Sequence, residues 1–327
     1  MLEAQKRVGV GLARIEAGIR ARIGAVALLD FVDPRIASRK RHIAATVREI
    51  LAVEGPRIVN AAHSLGATGG HCDSTFLPPS YAETSPAVGD GPDQLRQRVG
   101  EQRKYGAEII KACATGGVFS RNTEPGQQQL SLEELTAIAD EAHQWGLRAA
   151  AHAHGAEGIK AAIRARFDTI EHASLVDDEG ISLAKYHGTW FSMEIFNTEY
   201  TLAQGTKNGV LEENLEKERF VGQRQRDNFR RAHAAGVTMV FGSDAGVMPH
   251  EDVGGQFRAM VEYGMTPIEA IRAATSNAAE ALGQSDDVGA IAVGAFADII
   301  GVEGNPLEDV DQLANVYAVI KGGRRIK

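Results

Sequence analysis

Cysteine is nearly absent from this sequence, and its scarcity excludes whole classes of protein. The two cysteines, Cys72 and Cys113, provide neither a disulfide framework nor the spacing of a zinc knuckle. No apolar run approaches the roughly 18 residues that a membrane helix needs, and the first 18 residues lack the apolar core of a signal peptide. We therefore expect a chain that works in a reducing, cytoplasmic setting.

Positive charge is also in short supply. The net charge of −8 at pH 7 argues against nucleic acid or an anionic membrane surface as the main partner. Hydrophobic residues make up 43% and charged residues 24% of the 327 positions, as in ordinary globular proteins. The length suffices for one barrel-sized domain or two ordinary ones. We expect a small-molecule partner and neither nucleic acid nor membrane.

Apolar runs typical of buried strands alternate with segments that carry helical periodicity and helix caps, among them Ser131 with Glu134 and Thr266 with Glu269. Strands are predicted near residues 25, 58, 108, 149, 169, 191 and 239. Helices are predicted at 1–22, 35–53, 92–104, 132–145, 156–165, 178–187, 215–235, after Pro267 and around 276–282. This alternation indicates an α/β fold with a parallel sheet and helices outside it. Seven strand-helix units are one short of a closed eight-stranded barrel.

The end of the chain has a different pattern. Residues 289–304 and 316–327 contain short apolar runs separated by turn signals, which predict a small antiparallel appendage. We therefore predict two parts, a barrel over 1–285 and an appendage over 286–327. Three long polar loops, 65–91, 114–130 and 194–214, are expected to shape a pocket.

Two histidines stand at the ends of neighbouring predicted strands. His152 and His172 are 20 residues apart, about one strand-helix unit, and parallel strands gather their carboxyl ends on one rim. Two imidazoles on one rim can bind a metal ion, although hydrogen-bonded polar residues are the alternative. His154 is one step nearer the loop and is expected to face substrate. His42, His63, His143, His187 and His233 are interpreted as structural.

Lys111 and Asp244 also stand where apolar strands end. A buried lysine loses its charge more easily and, as a neutral amine, can react with carbon dioxide to give a metal-bridging carbamate. The alternative is an ion pair with Asp244 or Glu171, and the spacing does not decide between them. Asp244 can bind metal and accept a proton from an attacking water, or it can cap the segment that follows.

These motifs together resemble the amidohydrolase superfamily, specifically its prolidase-like and imidazolonepropionase-related branch. The matching segments, from about residue 55 to the end of the chain, are TGGHCD (68–73), GAEIIKACATGG (106–117), AAHAHG (150–155), TIEHAS (169–174), GSDAG (242–246), MTPIEAIRAATSNAAEALG (265–283) and GAIAVGAFADIIGV (289–302).

The resemblance implies a (β/α)8, or TIM, barrel that binds one or two divalent metals, usually zinc, and hydrolyses an amide or peptide bond. Lys111 is then the carboxylated lysine, and His152 and His172 bind metal. Asp244 is both metal ligand and general base. His71 binds substrate or stabilises the oxyanion, and 286–327 is a remnant of a small β-sandwich.

One feature departs from this family. Its first barrel strand ends in a His-x-His motif that binds the other metal, and no such motif precedes residue 152 here. We therefore expect the first strand and the N-terminal half of the sandwich to be missing, through truncation of the gene product or natural variation. Such a barrel exposes two sheet edges, which a homo-oligomer or the first 22 residues would cover.

Three functions remain open from the sequence. The leading hypothesis is a metal-dependent hydrolase of dipeptides or N-acyl amino acids. The second is a catalytically impaired metal-binding remnant or assembly subunit, and the third is a deaminase or cyclic-amide hydrolase. His71, His154 and Tyr200 are the polar candidates for substrate binding.

Overall fold

The computed structural model describes residues 55–73, 75, 80 and 85–327. The predicted helices at 1–22 and 35–53, and the strand predicted near residue 25, lie outside these residues.

A five-stranded parallel sheet forms the centre of the described chain. Its strands are β1 (Ile109–Cys113), β2 (Arg148–Ala153), β3 (Thr169–His172), β4 (Trp190–Ser192) and β5 (Met239–Val240). They lie in the sheet in the same order as in the sequence, each hydrogen-bonded to the next. The prediction of a parallel sheet is confirmed at five of the six predicted strands that the structure describes.

The strand predicted at 57–64 is wrong. The adjoining Leu65 forms an isolated bridge to β1, where its N–H donates to the Lys111 carbonyl at 2.8 Å, and the Asn60 carbonyl accepts from Ile109 N–H at 3.3 Å. Side chains take up the backbone groups before it. The His63 N–H donates to the Gln102 side chain at 3.1 Å, and Ala62 has a φ of 51°. A strand ladder needs those backbone groups for itself.

Nine α-helices follow or connect the strands in the described residues. They are α1 (Pro92–Lys104), α2 (Leu132–Gln144), α3 (Ala156–Arg164), α4 (Asp178–His187), α5 (Ile195–Gln204), α6 (Glu212–Ala235), α7 (Gly255–Glu262), α8 (Pro267–Ala274) and α9 (Ser276–Ala281). Two capping boxes, Ser131 with Glu134 and Thr266 with Glu269, fix the starts of α2 and α8 as the sequence predicts.

Helix α5 replaces a predicted loop. Its buried side chains include three polar ones, Asn197, Thr198 and Thr201. A helix whose inner face is polar has no apolar stripe to reveal it. Helix α7 was likewise not predicted, and its glycine start gives no cap signal.

The core lies between the sheet and its helices. Ile110, Ile170 and Phe191 on the strands are fully buried, as are Ile138 and Ile159 on the helices. Burial of one such side chain stabilises the fold by roughly 1.5–3 kcal/mol. This packing holds the strand ends in fixed positions.

A separate antiparallel sheet confirms the character predicted for the end of the chain. It contains β6 (Ile299–Val302), β7 (Val316–Lys321) and β8 (Arg324–Arg325). An ion pair of 2.9 Å between Arg57 and Asp298 connects this sheet to the segment before β1. The domain boundary at 285/286 stays a prediction. Among the described residues, no helix combines the length and the apolar content needed to cross a bilayer.

Candidate metal centre

The carboxyl ends of the parallel strands surround one hollow. Six of the seven site residues named from the sequence line it: His71, Lys111, His152, His154, His172 and Asp244. Lys111 is paired in register with Ala150, two residues before His152, so the two side chains leave the same face of adjacent strands. The parallel sheet therefore brings together groups that are up to 173 positions apart in the sequence.

Three buried imidazoles lie at the centre of this hollow. The candidate ligand atoms of His152, His154 and His172 all lie within 4.8 Å of one another. Two nitrogens bound to one zinc ion at about 2.1 Å each lie up to about 4.2 Å apart, so the cluster needs only small movements to bind one ion. His154, which the sequence analysis assigned to substrate, therefore belongs spatially with the two predicted ligands.

His172 reaches this cluster through an unusual backbone. In register, His152 faces Glu171 and His172 faces Ala153, so regular alternation would place His172 on the opposite side of the sheet. His172 instead has a φ of 72°, in the left-handed region, and its ring centroid lies 4.5 Å from that of His152. Such a conformation costs about 1–3 kcal/mol and is maintained by the surrounding structure.

His71, His152 and His154 are held in the neutral form, which can bind a metal. Burial lowers the pKa of His152 and His154 well below the ordinary value, and the neighbouring histidines lower it further. Burial also lowers the pKa of His71 to about 3, with His172 and Lys111 as further causes. Neutral imidazoles have a free nitrogen lone pair, which a metal ligand requires.

Glu194 is a site residue that the sequence analysis missed. It lies two residues after β4, is buried, and accepts a hydrogen bond from His172 Nδ1. Gln225 of α6 donates to Glu194 Oε1 at 2.9 Å and to the His172 carbonyl at 3.2 Å. Burial alone would raise the pKa of Glu194, but the charge and hydrogen bond of His172, together with hydrogen bonds from the backbone and Gln225, keep that pKa below the ordinary value. With Nδ1 engaged, Nε2 of His172 is the atom left for a metal.

Asp244 has a partner on α5. Asn197 Nδ2 donates to Asp244 Oδ2 at 3.0 Å, and both side chains are buried. Asp244 also has a positive φ, 47°, at the point where the chain leaves β5. Asn197 lies in the segment interpreted as a loop, so its approach to Asp244 had no signal in the sequence.

His71 enters the hollow from the loop before α1. Its ring stacks on His152 with a centroid separation of 4.2 Å, and Nδ1 lies 2.7 Å from Ser120 Oγ. A Cβ at Gly117 would lie only 2.2 Å from the His71 ring, so a residue without a side chain is required there.

A disulfide joins the His71 loop to the sheet. Cys72 and Cys113 are bonded, with a Cα–Cα distance of 5.9 Å across 41 residues of sequence. Both line the hollow, one beside His71 and the other two residues after Lys111. The sequence analysis treated these cysteines as separate thiols. The pairing depends on the path of the loop, which composition does not reveal.

Tyr200 is not brought into the hollow. It lies on α5 beside Phe196 and Glu199, where it lines a separate surface depression. The expected contact of Tyr200 with substrate followed from interpreting 194–214 as a loop, whereas the structure places Tyr200 on a helix and outside the lining of the hollow. His63, interpreted as structural, does line the hollow.

The donor set fits a divalent metal ion. Neutral imidazoles and carboxylates are the protein groups that zinc binds, and the three imidazoles are buried at suitable separations. Lys111, as an ordinary ammonium, would offer no lone pair and becomes a ligand only after modification.

Known proteins are similar to this chain in sequence and in architecture. Ochratoxinase from Aspergillus niger is 34% identical over 294 residues, which cover 84% of this chain and 61% of that protein. The chain thus spans about three fifths of the length of this curated relative. The crystal structure of a Xaa-Pro dipeptidase with bound methionine superimposes with a TM-score of 0.86 at 35% identity, covering 96% of this chain and 78% of that one.

The crystal structure of A. niger ochratoxinase superimposes with a TM-score of 0.77 at 33% identity, covering 88% of this chain and 69% of that one. A model of the amidohydrolase family matches residues 31–326. The rim of strand-end ligands and this match agree, and the chain belongs to the amidohydrolase family.

Proposed function

We propose that this chain is a metal-dependent hydrolase that cleaves an amide or peptide bond, in a dipeptide or an N-acyl amino acid. One observation carries the proposal: Lys111, His152, His172 and Asp244 all line one hollow at the ends of parallel strands. The names of the relatives, a Xaa-Pro dipeptidase among them, support this substrate class.

The residues of the hollow have distinct roles in this proposal. His152 and His172 would hold one metal ion, with His154 as a third imidazole close enough to join them. Lys111, once converted to a carbamate, would offer two further oxygens, and Asp244 would be both ligand and base. Zinc is the metal that this donor set favours, with one or two ions per chain. When bound, the metal acidifies water and polarises the substrate carbonyl.

Hydrolysis then needs two proton movements. The Asp244 carboxylate accepts a proton from the attacking water while the water oxygen bonds to the carbonyl carbon. It passes that proton to the nitrogen as the C–N bond breaks. Asn197 holds the carboxylate in place through its hydrogen bond. His71 is neutral, and in the tautomer whose Nδ1 accepts from Ser120 it can donate from Nε2 to the oxygen that becomes negative.

Metal analysis together with Lys111→Ala and Asp244→Asn variants tests the proposal. We expect each to reduce kcat/KM on a dipeptide by about 10²- to 10⁴-fold, the range for loss of an acid-base or metal group. Lys104→Ala and Asp252→Asn, at exposed positions, are matched controls and should leave the rate unchanged. Unchanged hydrolysis in both site variants would remove the assigned roles.

The same assays separate the alternatives. One metal per chain without turnover on a broad dipeptide panel would favour the metal-binding remnant or assembly subunit. Release of ammonia rather than a free amino acid would favour the deaminase. Light scattering of the purified protein tests the expected homo-oligomer.

A further inference from the structure

A third buried carboxylate, besides Asp244 and Glu194, lines the hollow and has no role in the proposed hydrolysis. Glu218 lies on α6 and is 3% exposed. Among the described residues its Oε1 has no hydrogen-bond partner. A carboxylate that is buried without a partner is costly to the fold, so a structural role alone does not account for it.

The surroundings of Glu218 disfavour its charged form, and a cation bound beside it would restore that form. Burial and then the neighbouring Glu194 raise the pKa of Glu218, and His172 and Arg226 lower it, so that the net value is about 8. Arg226 does not satisfy it by hydrogen bonding, since its guanidinium donates to Thr198 at 2.8 Å and to Gln223 at 3.3 Å.

Glu194 adds a second acceptor atom to the same hollow. Its Oε1 is occupied by His172 and Gln225, whereas its buried Oε2 has no partner among the described residues. Two buried carboxylate oxygens of residues that line the same hollow thus lack a hydrogen-bond partner among the described residues. An ammonium group carries three donors and one positive charge, and it is the substrate group that matches them.

We propose that Glu218, assisted by Glu194, forms the subsite that binds the positively charged α-amino group of the substrate. This inference rests on the proposed function and narrows its substrate class. A dipeptide with a free amino terminus provides the ammonium, and an N-acyl amino acid does not. Glu218 is thereby a specificity-determining residue that takes no part in bond cleavage.

The test compares two substrates that differ only at the amino group, alanyl-proline and N-acetyl-alanyl-proline, on the metal-loaded full chain. Glu218→Gln should raise KM for alanyl-proline about 10- to 100-fold, the value of one hydrogen bond to a charged group. Its kcat/KM for the acetylated substrate should stay unchanged. Glu216→Gln, exposed on the same helix, is the matched control and should alter neither.

Several outcomes would overturn the assignment. Equal effects of Glu218→Gln on both substrates would show a general disturbance of the site. No effect on either substrate would show that Glu218 does not bind the substrate ammonium group. Should Glu218→Gln fail to fold, the Glu218→Asp variant is used instead. It keeps the carboxylate on a side chain that is one methylene shorter, and it must weaken the binding of alanyl-proline without affecting the acetylated substrate.

Calorimetric binding separates this inference from the proposed function. If the wild-type protein hydrolyses neither substrate, the proposed function fails. Tighter binding of alanyl-proline than of its acetylated form, lost in Glu218→Gln, would still support the subsite. Equal binding of the two compounds by the wild-type protein would refute it.

Discussion

Two buried lysines in this chain have opposite surroundings. Lys160, 6% exposed, lies on α3, and its ammonium contacts Glu157 at 2.8 Å and Asp177 and Glu179 at 3.0 Å each. Lys111, 5% exposed, lies on β1 and lines the hollow among the histidines. The first lysine is held by carboxylates in the helix layer, and the second lines the hollow at the strand ends.

The same contrast holds for acidic groups. The carboxylates around Lys160 are partly exposed and form ion pairs with it. Glu194 and Glu218 at the hollow are buried, and each keeps an oxygen without a hydrogen-bond partner among the described residues. Charges that are paired within the protein, as around Lys160, serve the fold. Buried acceptors without a hydrogen-bond partner, as at the hollow, indicate a site for a ligand.

The largest effect should come from the disulfide at the hollow. A bond that closes a 41-residue span stabilises the fold by about 4 kcal/mol in the chain-entropy description. We expect reduction to lower the free energy of unfolding in urea by about that amount. The Cys72→Ser/Cys113→Ser variant should be insensitive to reductant. Alkylation of both thiols in protein denatured without reductant would show that the bond does not form, as a reducing compartment would favour.

Removal of the carboxylate that orients His172 should have the next largest effect. Glu194→Gln keeps the shape of the side chain and removes its charge, and we expect metal affinity to fall about 10- to 100-fold. Chelator competition measures this change. Glu199→Gln, exposed on α5, is the control and should bind metal normally. Equal affinity in Glu194→Gln would mean that the hydrogen bond to His172 does not support the site.

Lys160→Met should have the smallest effect, confined to stability. Hydrogen bonds to Glu157, and then to Asp177 and Glu179, raise the pKa of Lys160 above its ordinary value. Its stabilisation is therefore complete below the unfolded pKa of about 10.4 and is lost as pH rises through the folded value. The variant should melt at a lower temperature than wild type at pH 7, and the two should converge at strongly alkaline pH.

Kinetics complete this comparison. Lys160→Met should keep kcat/KM and metal content, the reverse of the pattern expected for Lys111→Ala. Lys185→Met, exposed on α4, controls for the loss of a charge and should match wild type. Loss of activity in Lys160→Met at full stability would abolish the distinction between the two lysines.

The sequence predicted the parts of the fold that repeat a simple pattern. The apolar runs predicted β1 to β5, and the caps at Ser131 and Thr266 predicted the starts of α2 and α8. Because parallel strands share a rim, the positions of Lys111, His152, His172 and Asp244 at one hollow followed as well.

What the sequence could not predict depends on contacts between distant polar groups. Glu194, Asn197 and Glu218 are polar residues near or on helices, and nothing in their local pattern separates them from surface positions. The turn of His172 into the hollow depends on a left-handed backbone that no residue type announces at that position. The disulfide depends on the path of the loop that carries Cys72, and the position of Tyr200 outside the hollow depends on the helix that carries it.

The order of the strands in the sheet has a consequence for synthesis. Because each strand is added beside the one made before it, Lys111, His152, His172 and finally Asp244 join the rim in the order in which the ribosome produces them. A nascent chain arrested before residue 244 would contain the three imidazoles but lack the carboxylate, so under the proposed function the histidine ligands are made earlier in translation than the general base.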